Sequence, residues 1–125
     1  MNIALWIVQG LLAFVFVMAG FMKISQPKDK VKEKGMAFVE DFSDGQIRLI
    51  GLLEILGAVG LILPGLTGIL PVLTPIAAIG LALTMAGAAF THIRRGGETQ
   101  MFVTNLVLLA LALFVAYGRF VVVPL

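Results

Sequence analysis

Four long stretches of this chain are almost free of charge, and the polar residues between them fall into short clusters. A helix that spans hydrocarbon needs about 20 apolar residues, within a range of roughly 17–25. Residues 3–24 meet this, with Gln9 and the terminal Lys23 as their strongly polar members. A second run, 47–63, stops at Pro64-Gly65, is short for a span and carries Glu54. The third covers about 70–91. Its opening turns hold Pro71 and Pro75, where missing amide donors are tolerated. The fourth covers about 101–120. A single apolar run is ambiguous, but four in succession predict an all-α integral membrane four-helix bundle, a single transmembrane domain over residues 1–125.

The connections differ in kind. Residues 28–34 alternate in charge and read as solvated. Residues 36–42 mix apolar and acidic side chains, a pattern for a short interfacial helix or loop between spans one and two. Ser43 and Gln46 have the spacing of a capping box, which predicts a helix start there. Residues 64–69 form a Pro/Gly turn, so spans two and three are expected to be antiparallel neighbours. Span one lacks a basic leader and its apolar run is too long for a signal peptide, so it is expected to be retained.

Composition agrees with the pattern. The chain is 60% hydrophobic and 13% charged, with a mean hydropathy of +1.07, whereas a soluble domain is about half apolar and about a quarter charged. There is no cysteine, which removes disulfides, thiolate metal sites and dithiol redox chemistry. A haem between two axial histidines within one chain is excluded, because His92 is alone. No metal site is expected. The net charge of +2 is too small to argue for nucleic acid. All basic residues except Arg119 lie in or beside the first and third connections. The excess of Lys and Arg on cytoplasmic loops then places those connections in the cytoplasm and both termini outside.

Each predicted helix carries a stripe of small and polar residues: Gln9, Ala13, Phe16, Gly20 and Lys23; Gly51, Glu54 and Ala58; Gly80, Thr84, Ala88 and Thr91/His92; Asn105, Leu109, Ala112 and Ala116. Facing inward, such stripes let helices approach closely and keep polar groups out of lipid. At 1.5 Å per residue, Glu54 lies about 10 Å into its helix, Asn105 about 6 Å into its own, and Thr84 about 12 Å from His92. These depths predict a pocket in the cytoplasmic half of the bundle, formed by Lys23, Glu54, Thr84, His92 and Asn105, with the outer half sealed by apolar packing except at Gln9.

Glu54 is the most informative residue, because a carboxylate in hydrocarbon has to be paired, hydrated or protonated. Lys23 and His92 are its cationic candidates on facing stripes. Simpler readings stand beside the pocket: a structural ion pair for Glu54, a snorkelling anchor for Lys23, dipole and headgroup contact for His92, and an interhelical clamp for Asn105.

A succession of motifs adds a resemblance: Gly20-Phe21-Met22-Lys23; then Arg48-Leu49-Ile50-Gly51-Leu52-Leu53-Glu54 with Leu63-Pro64; then Met85-Ala86-Gly87-Ala88-Ala89-Phe90-Thr91-His92-Ile93-Arg94-Arg95-Gly96-Gly97-Glu98; then Asn105 and Tyr117-Gly118-Arg119. In this order they resemble the DoxX-like family of small four-span membrane proteins. The resemblance implies Lys23, Glu54, His92 and Asn105 as pocket positions. It also implies either a subunit accompanying bacterial redox enzymes, as in thiosulfate:quinone oxidoreduction, or an assembly chaperone, as among related animal proteins. The first reading expects a quinone or lipid-like ligand with no intrinsic cofactor. The second expects another membrane protein, or further copies of this chain, as the partner in the bilayer. Transport has little support, and standalone catalysis is not expected: any oxidoreductase role would need a partner subunit.

Overall fold

The computed structural model describes residues 1–27, 29–30 and 42–125, and contains four helices long and apolar enough to cross a membrane. They are α1 (Asn2–Ser25), α2 (Asp44–Thr67), α3 (Leu73–Arg95) and α4 (Thr99–Tyr117), the last extended by a π-helical turn over Gly118–Val122. The expected segment at 36–42 falls outside the described residues except for Phe42.

A helix of 24 residues such as α1 is about 36 Å long, enough for the hydrocarbon core. Outward-facing side chains are large and apolar, among them Phe14, Leu83 and Phe90. The interior is narrow and built from Leu12, Phe16, Ala58, Leu61, Ala78, Leu81, Ala112 and Val115. A soluble protein could not leave so much apolar surface uncovered; this is a multi-pass membrane protein whose outer surface faces lipid.

α2 begins as its capping box predicts. The Gln46 amide donates to Ser43 Oγ (3.1 Å) and the Ser43 amide donates to Gln46 Oε1 (2.9 Å). Its end corrects the sequence reading, because the helix continues through Pro64 to Thr67 and is full length. A proline inside a helix removes one amide donor and leaves the carbonyl four residues back unpaired. Here that carbonyl belongs to Gly60, and it accepts a hydrogen bond from the Thr74 hydroxyl of α3 at 2.9 Å. The turn therefore moves to Gly68, which caps α2 at φ 72°, and Leu70, at φ 47°. Pro71 precedes α3 rather than opening it.

The most extensive helix contacts are those of α1 with α2 and of α3 with α4. Glycine sets the first of these. A Cβ on Gly20 would lie 2.5 Å from the Gly51 carbonyl oxygen, and one on Gly51 would lie 2.7 Å from the Gly20 carbonyl oxygen, so the two backbones touch. α2 meets α3 less fully, through Gly57 against Leu81 and Gly60 against Ala77.

Candidate functional site

Side chains on an α-helix lean toward its N-terminus. In antiparallel helices this brings together residues near the C-terminal end of one and the N-terminal half of the next. Lys23 closes α1 and leans into the bundle, while Glu54, about 15 Å along α2, leans back toward it. Lys23 Nζ donates to Glu54 Oε1 at 2.5 Å, and both side chains are buried, Glu54 being only 1% exposed. The Gly20–Gly51 contact one turn away allows the approach, since a Cβ on Gly51 would lie 2.9 Å from Lys23 Cβ.

The same lean brings His92, at the end of α3, and Asn105, early in α4, to this level. A cavity of about 150 Å³ lies between all four helices, walled by Phe16 and Lys23, Glu54, Met85 and His92, and Asn105 and Leu108. Asn105 is 6% exposed, and its Nδ2 has no hydrogen-bond partner among the described residues. An unpaired buried amide donor costs about 1–3 kcal/mol, so a group able to accept a hydrogen bond would be stabilised beside it.

Thr84 stands apart from these four. It is half-buried and its hydroxyl donates to the Gly80 carbonyl of its own helix at 2.9 Å. The buried face of α3 runs instead through Thr74, Ala78, Leu81, Ala82, Met85, Ala89 and His92, and Gly80 is exposed. Thr84 lines a second, more open space of about 330 Å³ between α2 and α3, with Leu53, Leu83, Gly87 and Thr91. Lys23, Glu54, Met85 and Ala88 border both spaces. The carboxylate thus sits between a cavity shared by all four helices and a groove walled by lipid-facing leucines.

His92 is buried and bound at the turn that follows it. Its Nδ1 lies 2.8 Å from Glu98 Oε1, and Arg95 Nε donates to both Glu98 oxygens at 3.1 and 3.2 Å. The hydrogen bonds from His92 and Arg95 hold the Glu98 carboxyl below its usual value of 4.5. Among the described residues no group of three or more His, Asp or Glu is placed to hold a metal ion.

The other end of the bundle is not sealed by apolar packing around Gln9 alone. Arg119, 2% exposed, donates from Nε to Gln9 Oε1 (2.8 Å) and from Nη1 to Asn2 Oδ1 (2.8 Å) and the Val123 carbonyl (3.0 Å). Its guanidinium lies 5.2 Å from the centre of the Trp6 ring, and Gln9 Nε2 donates to the Leu61 carbonyl at 2.6 Å. Arg119 and Thr74 are the buried polar residues that the sequence stripes left out, and Glu98 at the turn is the partner of His92 that they did not supply. The signal for Arg119 was present: it extends the α4 stripe of Ala112 and Ala116 by one further three-residue step.

Comparison with curated proteins and with solved structures gives no match. The sequence model of the DoxX-like family does match, over residues 7–115, which reaches into all four helices and includes every wall of the cavity around Glu54. By that match the chain belongs to the DoxX-like family.

Proposed function

We propose that this chain is an accessory, ligand-binding subunit of a membrane redox system, and that it holds a quinone-like amphipathic molecule with its polar head beside Glu54 and its apolar tail between α2 and α3. One observation supports this above the others: the chamber between the four helices and the apolar groove share Lys23, Glu54, Met85 and Ala88. A quinone carbonyl accepts hydrogen bonds, and the Asn105 amide is a donor with no partner among the described residues. Phe16, Met85 and Leu108 offer the ring apolar contact, and the groove continues past Leu53 along Leu56, Gly60, Ile76 and Ala77 as a track for a tail. With no cysteine and a single histidine in its sequence, the chain would receive electrons through a partner subunit. The lysine and arginine bias orients it with both termini outside the inner membrane, so the chamber belongs to the cytoplasmic half.

The test is extraction of quinone from protein purified in lipid nanodiscs. Native protein is expected to retain near-stoichiometric quinone, and Asn105→Leu to retain at least tenfold less. Because Asn105 Nδ2 makes no hydrogen bond that the fold would lose, thermal stability should be unchanged. Quinone retained equally by both proteins, or by neither, would sink the proposal.

A second reading rests on a different feature. Gly57, Gly60, Ala77 and Gly80 line the outward face between α2 and α3, and small residues let a foreign helix approach closely. As an assembly partner, the chain would co-purify with a stoichiometric membrane protein, and neither Asn105→Leu nor Glu54→Gln would disturb that association.

A further inference from the structure

Among the described residues, Arg119 is a buried cation with no anion beside it. Its acceptors are all neutral: Nε donates to Gln9, and Nη1 donates to Asn2 and to the Val123 carbonyl. The remaining nitrogen, Nη2, is buried and has no hydrogen-bond partner among the described residues. The described carboxylates lie elsewhere. Asp29, Asp44 and Glu98 follow α1, open α2 and follow α3 at the opposite end of the bundle, and Glu54 is paired with Lys23. A buried charge is stable only when it is paired, and the sole guanidinium at this end lacks a counter-charge.

The cluster also lies at the right depth to find one. From Lys23 to Asn2, α1 rises about 32 Å, which matches a hydrocarbon thickness of about 30 Å. With the cationic end at one headgroup layer, Asn2 and Arg119 therefore reach the other. Trp6 and the exposed Tyr117 stand at this level, as the aromatic belt of a membrane interface does. Phosphate is the anion that a bilayer presents there.

We propose that Arg119 holds a phosphate group at this end of the bundle, taken from a phospholipid headgroup or free in the water. A guanidinium binds phosphate through two parallel N–H···O bonds. One phosphate oxygen completes Nη2. The second takes the Nη1 hydrogen that Asn2 now accepts, and Asn2, an exposed side chain at the first residue of α1, turns outward to admit it. The rest of the cradle is already fixed. Gln9 is anchored through its Nε2 to the Leu61 carbonyl, and the Trp6 ring lies 5.2 Å from the guanidinium. The π-helical turn, closed by the Val123 amide on the Gly118 carbonyl at 2.7 Å, sets the Val123 carbonyl against Nη1. Gly118 lets this turn press on α1, since a Cβ there would lie 2.5 Å from Leu5 Cδ2. The site is at the far end from the chamber around Glu54 and is independent of the ligand proposed there.

The test follows the emission of Trp6, the single tryptophan, in the full chain purified in a phosphate-free maltoside. Dioleoylphosphatidylcholine is expected to change the emission saturably, at one lipid per chain. The dioleoyl galactolipid, with the same tails and no phosphate, should need at least tenfold more. Inorganic phosphate added alone separates the sources: a saturable change marks free phosphate as the ligand, and a change only with phospholipid marks the headgroup. The decisive variant is Asn2→Asp, at an exposed position, which supplies Nη1 with a carboxylate of its own. It is expected to raise thermal stability and to weaken the phosphate response at least tenfold. A purely structural Arg119 would show the higher stability with no phosphate-dependent signal in either protein, and that result would overturn the site. So would phospholipid and galactolipid acting alike with inorganic phosphate inert, or a native-like phosphate response in Asn2→Asp.

Discussion

Lys23 and Glu54 neutralise each other in a part of the bundle where neither could be tolerated alone. Breaking a buried ion pair by removing one partner costs about 3–5 kcal/mol, whereas replacing both by apolar residues is often neutral or stabilising. Glu54→Gln is therefore expected to lower stability by about 3–5 kcal/mol, and Lys23→Met with Glu54→Leu to recover most of that loss, as read from detergent-titrated unfolding followed by circular dichroism. A single variant as stable as the native protein would show that Lys23 reaches the headgroups instead. Glu54 was legible in the sequence because one carboxylate in a long apolar run has nowhere to turn except inward. Its choice of Lys23 over His92 was not, because it depends on the Gly20–Gly51 contact that brings α1 against α2. His92 is held instead by Glu98, six residues further along, where the chain has already left the helix and helical periodicity gives no guidance.

At the scale of single helices, hydropathy located four elements and misjudged one end. Pro64 reads as a stop because a proline cannot donate to the helical ladder, and that reasoning holds for an isolated helix. The contact that overrides it is tertiary, with Thr74 donating to the Gly60 carbonyl that Pro64 leaves unpaired. Thr74→Val keeps shape and volume but removes the donor, stranding a carbonyl inside a membrane bundle. The expected loss is about 1–3 kcal/mol, together with faster amide exchange over the last turn of α2, measured by hydrogen–deuterium exchange in nanodiscs. Unchanged protection there would mean that the outer turn of α2 needs no support from α3. The α3 stripe shows the same limit. Its small and polar residues at Gly80 and Thr84 line the groove toward α2 rather than the centre, because two small-residue faces coexist on one helix and periodicity alone cannot rank them.

The whole bundle is two hairpins, α1–α2 and α3–α4, with buried polar contacts near each end. At the end nearer the termini the tie is Arg119, which reaches Gln9, Asn2 and the face of Trp6 on the first helix. Arg119→Leu would leave the Gln9 and Asn2 side-chain oxygens without this donor, at a cost of about 1–3 kcal/mol. Since Trp6 is the only tryptophan, its fluorescence should change in intensity and wavelength in the same variant; an emission spectrum identical to the native one would rule out the contact. The two ties also differ in how far apart their members lie in the chain, 31 residues for Lys23 to Glu54 and 110 for Gln9 to Arg119. During synthesis the first pair is complete once two spans have emerged, so the opposite charges can enter the bilayer as one electrically neutral insertion unit. Arg119, by contrast, meets its acceptors Gln9 and Asn2 only after all four helices have been made.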